Sequence, residues 1–336
     1  MVSMASIFLA LSACTPTKGA ETRAGTVTAN GSSPARAEAL APGQHTAVID
    51  GSAIVYHVFG KGPVLLAHSG GPGCDWAYLR MPEVEKVATV VYIEPIGTGA
   101  SARLANPAVY SLELDASNVE GLRIHLGLDK IVLLGHSYGG FVAQTYALMH
   151  PQHLGGLVLY DTSPTNGPDF EKDVESNTQW FKNEPWFAQA RSALDAWDTP
   201  ETDDEATRAL RNALPFYFAD WTGHAKEYES LPPVRVYAER STRKKAHAPK
   251  IDAGAPQVYD VRKRLGEIAA PTLIVVGTKD FVCSMKMANI MHRGIRNSRL
   301  TVFQHSGHFA HIEESQEYAH TVGEFVSQLN PPVLHP

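Results

Sequence analysis

A serine held between two glycines, Gly135-His136-Ser137-Tyr138-Gly139, directly follows the apolar run Lys130-Ile131-Val132-Leu133-Leu134. A strand that enters such a pentapeptide and leaves as a helix must turn sharply, and the crowding at that turn demands small residues on both sides of the serine. The segment Gly139–Met149 supplies the helix, with Phe141, Thr145 and Leu148 spaced for one face. Its first turn brings unpaired backbone N–H groups and a positive dipole end beneath the hydroxyl. A serine hydroxyl is a poor nucleophile at neutral pH, so it needs a base, and the base needs an orienting acceptor. Both are found downstream. The run Pro271–Gly277 reads as a buried strand that ends in a glycine turn and presents Asp280, and the short strand Leu300–Phe303 runs into a loop that carries His308. Each of the three residues lies just past the carboxyl end of an expected strand, where open α/β sheets place their chemistry.

These residues must be positioned by a sheet. Strands are expected near 44–49, 53–58, 63–67, 88–93, 130–134, 155–160, 272–276 and 299–303, and helices near 112–126, 139–149, 284–293 and 315–328. Their alternation predicts an α/β fold with a mostly parallel sheet covered by helices on both faces. The first two strands, joined by Asp50-Gly51, read as an antiparallel hairpin at the edge. No internal repeat is evident.

A second loop, His68-Ser69-Gly70-Gly71-Pro72-Gly73, follows the expected strand Pro63–Ala67. With the order Ser137, Asp280, His308, the pattern resembles the α/β-hydrolase fold, and more narrowly the proline iminopeptidase-like (prolyl aminopeptidase) serine hydrolases. That family carries H-G-G-P-G here; Gly70 to Gly73 match, while Ser69 stands at the histidine position and His68 is displaced by one. The resemblance covers most of residues 44–330. It implies a catalytic Ser137–His308–Asp280 triad and an oxyanion hole formed by the backbone amides of Gly71 and Tyr138. It also implies an inserted helical cap and no cofactor. A third loop, Glu94-Pro95-Ile96-Gly97-Thr98-Gly99-Ala100-Ser101, is similar to the family's D-x-R-G-x-G-x-S segment, with Glu94 for the aspartate and Ile96 for the arginine. Those replacements remove a cation beneath the site loops, so the namesake's peptidase activity does not carry over automatically.

About a hundred residues between Asp161-Thr162-Ser163-Pro164 and Pro271 interrupt the alternation and read as mostly helical. Residues 44–163 and 264–336 are therefore expected to form the core, and 164–263 the cap. The aromatics Trp180, Phe181, Trp186, Phe187, Trp197, Phe216, Tyr217, Phe218 and Trp221 are expected mainly to pack the cap's own interior, some lining a substrate pocket. Aminopeptidases of the family hold the substrate's free amine with cap acids; Glu184, Glu227 and Glu229 are the acids to inspect, although each also reads as solvated helix surface.

With 336 residues, 44% hydrophobic, 19% charged and a net charge of −6, the chain reads as globular and has no electrostatic footprint for nucleic acid. The basic run Arg240-Ser241-Thr242-Arg243-Lys244-Lys245 is too short to change that. Partners are expected to be a small-molecule or short peptide substrate. The apolar run Ile7–Leu11 is too short to span a bilayer. Leu11-Ser12-Ala13-Cys14 resembles a bacterial lipobox, which implies a lipid anchor at Cys14 and export; the lack of Lys or Arg before the apolar run weakens that reading unless the true start lies upstream, and a cytoplasmic protein is the alternative. Residues 15–43 read as a flexible tether. Cys74 and Cys283 have no metal-type spacing; two free buried thiols are expected, with a disulfide between them as the oxidising-compartment alternative.

Rival readings come from other classes. His305, His308, His311 and Glu313 crowd one stretch as a metal centre would, but Gly307 interrupts them and no second ligand cluster stands out. A binding protein on the same scaffold would lose a member of the triad, and none is lost here. An ester or lactone hydrolase keeps every motif.

Overall fold

The structure, a computed structural model, describes residues 34–196, 200–231, 234–241 and 258–329. The apolar run, Cys14, all but the end of the tether, Trp197 and Thr242–Lys245 lie outside the described residues.

Eight strands form one sheet: β1 (Gly43–Ile49), β2 (Ser52–Gly60), β3 (Val64–His68), β4 (Thr89–Ile93), β5 (Ile131–His136), β6 (Leu154–Tyr160), β7 (Thr272–Gly277) and β8 (Ser298–Phe303), in the order β1-β2-β4-β3-β5-β6-β7-β8. β2 is antiparallel to both β1 and β4, and the pairs from β4 to β8 are parallel. The edge hairpin turns through Asp50 and Gly51, both at positive φ (49° and 78°). The central strands are buried along their whole length, as strands covered on both faces must be, whereas β1 at the edge alternates between buried and exposed.

Successive residues of a strand face opposite ways, and the core divides accordingly. Leu66, Val91, Leu133, Leu157, Leu159, Ile274 and Val276 pack on one face with helices Leu112–His125, Tyr138–Met149 and Met285–Gly294. Leu65, Val90, Val132, Leu134, Val158, Leu273 and Val275 pack on the other with helix Ser315–Leu329. The chain is thus a mostly parallel sheet with helices on both faces, as the alternation predicts.

Between β6 and β7 the described residues are helical: Pro168–Thr178, Phe187–Asp195, Asp203–Ala213, Trp221–Ser230 and Ala238–Ser241. Thr202 and Glu205 start the third of these with a capping box. The aromatic side chains largely pack this segment, as expected: Phe181 and Phe216 are buried with Trp186 and Phe187 against them, and Phe218 is buried in the neighbouring cluster, whereas Trp180 is exposed. The segment is tied to the glycine loop after β3 by backbone bonds, Tyr237 N–H to Gly73 O (2.9 Å) and Asp75 N–H to Arg235 O (3.0 Å).

Leu133 sits at the centre of β5, fully buried. Leu133→Ala is expected to remove about 2–5 kcal/mol of stability. Urea unfolding should report it as a lower midpoint with an unchanged slope.

Candidate active site

The carboxyl ends of β5, β6, β7 and β8 converge on one buried, polar region. Ser137 leaves β5 with φ 55° and ψ −119°, a conformation that non-glycine residues rarely adopt. Three backbone bonds hold it there: Ser137 N–H to Tyr160 O (3.0 Å), Gly140 N–H to Ser137 O (2.9 Å) and Thr162 Oγ1–H to Ser137 O (2.7 Å). The flanking glycines are required by space. A Cβ at Gly135 would lie 2.2 Å from Gly139 O, and one at Gly139 would lie 2.3 Å from His68 O.

Asp280 and His308 meet directly. His308 Nδ1 lies 2.8 Å from Asp280 Oδ2, while Asp280 Oδ1 accepts the N–H groups of Val282 (2.9 Å) and Cys283 (3.0 Å). Both side chains are buried, Asp280 completely. The His308 N–H donates to Tyr217 O (2.7 Å), and the Tyr217 ring stands edge-on to the imidazole at 5.4 Å. The loop that carries His308 is pinned by two glutamates. Glu314 accepts from His305 N–H and Ser306 Oγ–H, and Glu313 accepts from Gly307 N–H and, across the chain, from Ala219 and Asp220 N–H. Burial pushes the Glu313 carboxyl up to about 7.

The glycine loop reaches the same place. A Cβ on Gly70 would come within 2.9 Å of Ser137 Cβ, so this backbone runs against Ser137. Gly70 N–H donates to Tyr78 Oη (2.6 Å), which lies 2.8 Å from His136 Nδ1. Gly71 follows at φ 126°, and Tyr138 is the first residue of the helix after Ser137.

His136 is engaged elsewhere than at the nucleophile: its Nε2 lies 2.9 Å from His308 O, and burial followed by the neighbouring His308 and His311 holds it well below the usual imidazole range. His311 Nδ1 meets Tyr160 Oη (2.8 Å) and its Nε2 meets Tyr78 O (3.0 Å). Burial lowers it to about 4. The imidazoles of His308 and His311 therefore serve different partners, and His305 is exposed, so the crowded stretch does not converge on one centre. Donor atoms of His136, Asp161 and His308, and of Asp280, Cys283 and His308, do lie within 4.8 Å of one another, as do those of Glu120, His150 and His153. The first two sets overlap the Asp280–His308 contact, and in the third Arg123 Nη2 already occupies Glu120 at 2.7 Å.

Glu184, Glu227 and Glu229 are exposed, and Glu227 pairs with His224 (3.2 Å); none of them is brought to the site. The acid that is buried beside the glycine loop is Asp75, pushed up to about 7 by burial and, less, by Glu94. In the third loop Glu94 pairs with His57 (2.9 Å), whose ring stacks on Trp76 at 3.9 Å, and Ile96 is buried in the core. Cys74 and Cys283 are buried and are not joined in a disulfide. Sequence reasoning missed Tyr78 and gave Asp161 no role, and it read Tyr217 only as one of the cap aromatics; Asp161 stands at the end of β6 in the same way that Asp280 follows β7, a signal the spacing did carry.

A family model described as alpha/beta hydrolase fold matches residues 63–315. A proline iminopeptidase of Saccharolobus solfataricus is 29% identical over 82% of this chain and 88% of that protein. A 2-hydroxy-6-oxononadienedioate/2-hydroxy-6-oxononatrienedioate hydrolase of Paraburkholderia xenovorans is 28% identical over 81% of this chain and 90% of that protein. Among solved structures, an alpha/beta fold family hydrolase from Bacillus anthracis superposes with a TM-score of 0.67 at 20% identity, over 85% of this chain and 98% of that one.

His311 keeps its neutral form when folded down to about pH 4, whereas an unfolded chain protonates it near 6.5. The unfolded state binds the extra proton in that window, so this contribution is complete above pH 6.5 and is lost as the pH falls toward 4. The stability deficit of His311→Gln against the wild type is therefore expected to be largest above pH 6.5 and to shrink by about 3 kcal/mol at pH 4, read from paired denaturation curves.

Proposed function

The chain belongs to the α/β-hydrolase fold family and is a hydrolase; we propose that it cleaves a small ester or amide through an acyl-enzyme, with Ser137 as nucleophile, His308 as base and Asp280 as its orienting acceptor. In this reading His308 takes the Ser137 proton as the oxygen attacks a carbonyl, then returns it to the leaving group and activates the water that releases the acyl chain. The backbone amides of Gly71 and Tyr138 receive the developing oxyanion. Residues 164–263 act as a cap over the core formed by 44–163 and 264–336. The observation that carries the reading is the 2.8 Å contact between His308 Nδ1 and the fully buried Asp280, at the strand ends where Ser137 is held in its rare conformation.

Both substrate classes have a relative in their favour, since the Saccharolobus protein is a proline iminopeptidase and a solved esterase from Exiguobacterium antarcticum shares the fold (TM-score 0.58). Two features favour the ester or lactone reading. The acids Glu184, Glu227 and Glu229 are turned to solvent, and Ile96 stands in the core where the family's arginine is expected.

Paired p-nitrophenyl ester and p-nitroanilide substrates test this, including proline p-nitroanilide with free and blocked amine. Ester cleavage is expected to exceed anilide cleavage. Ser137→Ala and His308→Ala should each lower kcat by about four to six orders of magnitude while leaving the protein folded. An active Ser137→Ala enzyme would overturn the mechanism, and selective cleavage of the free-amine proline anilide would overturn the ester preference.

A further inference from the structure

A second carboxyl lies behind the Asp280–His308 contact. Asp161 follows β6 at φ 42°, is fully buried, and donates its own backbone N–H to Val275 O (2.9 Å). Its Oδ1 accepts the Gly277 N–H (2.9 Å), while Oδ2 is buried with no donor facing it. The group across from it is the Asp280 carboxyl, at side-chain hydrogen-bonding reach, and a donor atom of Asp161 lies within 4.8 Å of ring nitrogens of His136 and His308.

Two carboxylates cannot both stay ionised in a dry contact, so the pair holds one proton. Donor supply decides where it sits. Asp280 is served by the Val282 and Cys283 N–H groups and by His308 Nδ1, whereas Asp161 receives a single N–H. A negative charge on Asp280 is satisfied three times over; one on Asp161 would leave Oδ2 bare. A proton on Asp161 turns the carboxyl into a hydroxyl donor, with the Asp280 carboxylate at hydrogen-bonding reach. Burial first, and the Asp280 charge second, raise the Asp161 carboxyl well above the usual carboxylate range, in agreement with the donor count.

We propose that Asp161 is a neutral acid whose hydroxyl donates to the Asp280 carboxylate and so fixes that carboxylate against His308. It is a positioning residue, and its role rests on the triad reading above. A carboxylate held by two loop amides alone is free to rotate; a fourth donor from the adjacent strand end locks its free lone pair, and the imidazole it orients is locked with it. The ionisable groups packed around the pair are His136, His308, Tyr160, Tyr318 and Glu313.

Asparagine reproduces the neutral acid, since its amide donates to Asp280 while its oxygen accepts from Gly277; leucine removes the donor. With the full chain and a p-nitrophenyl ester, Asp161→Leu is expected to lose about tenfold or more in kcat with KM nearly unchanged, and Asp161→Asn to recover to within about threefold of the wild type. The acid limb of the kcat/KM profile should stay in place in Asp161→Asn, because a neutral group replaces a neutral group. Wild-type minus Asp161→Asn infrared difference spectra at about pH 9, above the range where Asp75 and Glu313 give up their protons, should show a protonated carboxyl band belonging to Asp161, a readout that needs neither turnover nor a folded leucine variant. The proposal is overturned if the band is missing, if the acid limb of Asp161→Asn moves to lower pH by about one unit, or if a folded Asp161→Leu matches the wild type. Ser137→Ala assayed in parallel separates the two claims. If it is active, the triad reading falls while the infrared band still reports the carboxyl pair; if it is inactive and the band is missing, Asp161 alone loses its role.

Discussion

The constraint on which the site depends is the backbone at Ser137. A non-glycine residue at φ 55° and ψ −119° costs on the order of 1–3 kcal/mol, and it persists only where the surroundings over-determine it. Here they do. Tyr160 O and Thr162 Oγ1, both from the end of β6, grip the residue from one side, and the Gly139 backbone presses against His68 and Ser69 O on the other. The same contacts bring β3, β5 and β6 to a common edge, so the strain at one residue and the approach of the glycine loop are a single packing solution. A side chain at Gly135 would run into the Gly139–Gly140 backbone of the following helix, and one at Gly139 into the His68 and Ser69 carbonyls at the end of β3.

Around that turn the protein buries an unusual density of polar groups, and the arrangement of charge follows from desolvation. His136 and His311 are kept neutral by burial, each between a tyrosine hydroxyl and a backbone carbonyl. With those imidazoles neutral and one proton on the carboxyl pair, the contact behind His308 holds a single negative charge. An isolated buried charge is expensive, and the N–H donors converging on Asp280 offset that cost where a second carboxylate would not.

Much of this was legible in the sequence, for reasons that differ by residue. All eight strands lie within two residues of their expected bounds: parallel strands buried on both faces, such as β5 and β7, are continuous apolar runs, and the edge hairpin is marked by its Asp-Gly turn. Ser137, Asp280 and His308 stood out since each follows such a run. Asp161 follows one too, yet it was read only as part of the boundary before the insertion: a lone aspartate before Thr-Ser-Pro looks like any turn, and only the pairing of β6 with β7 puts it beside Asp280. Tyr78, and the contact of the cap residue Tyr217 with His308, were hidden for the same reason, since those partners are fixed by loop packing that has no period. The glutamates at 184, 227 and 229 were chosen from a helical stretch in which exposure depends on which face meets the core, and all three fell on the outer face.

The third loop shows how far a scaffold can be kept while its chemistry changes. An aspartate and arginine at 94 and 96 would place an ion pair under the glycine loop. Glu94 is one methylene longer, reaches back to the Ala100 N–H, and takes His57 as its partner, with that imidazole stacked on Trp76. Ile96 then joins the apolar cluster that holds the β2 and β4 residues Tyr56 and Ile93. The loop keeps its shape, because Ser101 Oγ still bridges Glu94 O and Val55 N–H, but the cation is gone. Ile96 carries no charge, and the buried acid beside the glycine loop is Asp75, whose carboxyl burial pushes up to about 7. On the proposed reading the inserted segment brings shape to the site, since its Tyr217 ring stacks on Phe309 of the loop after β8, and both rings lie beside His308.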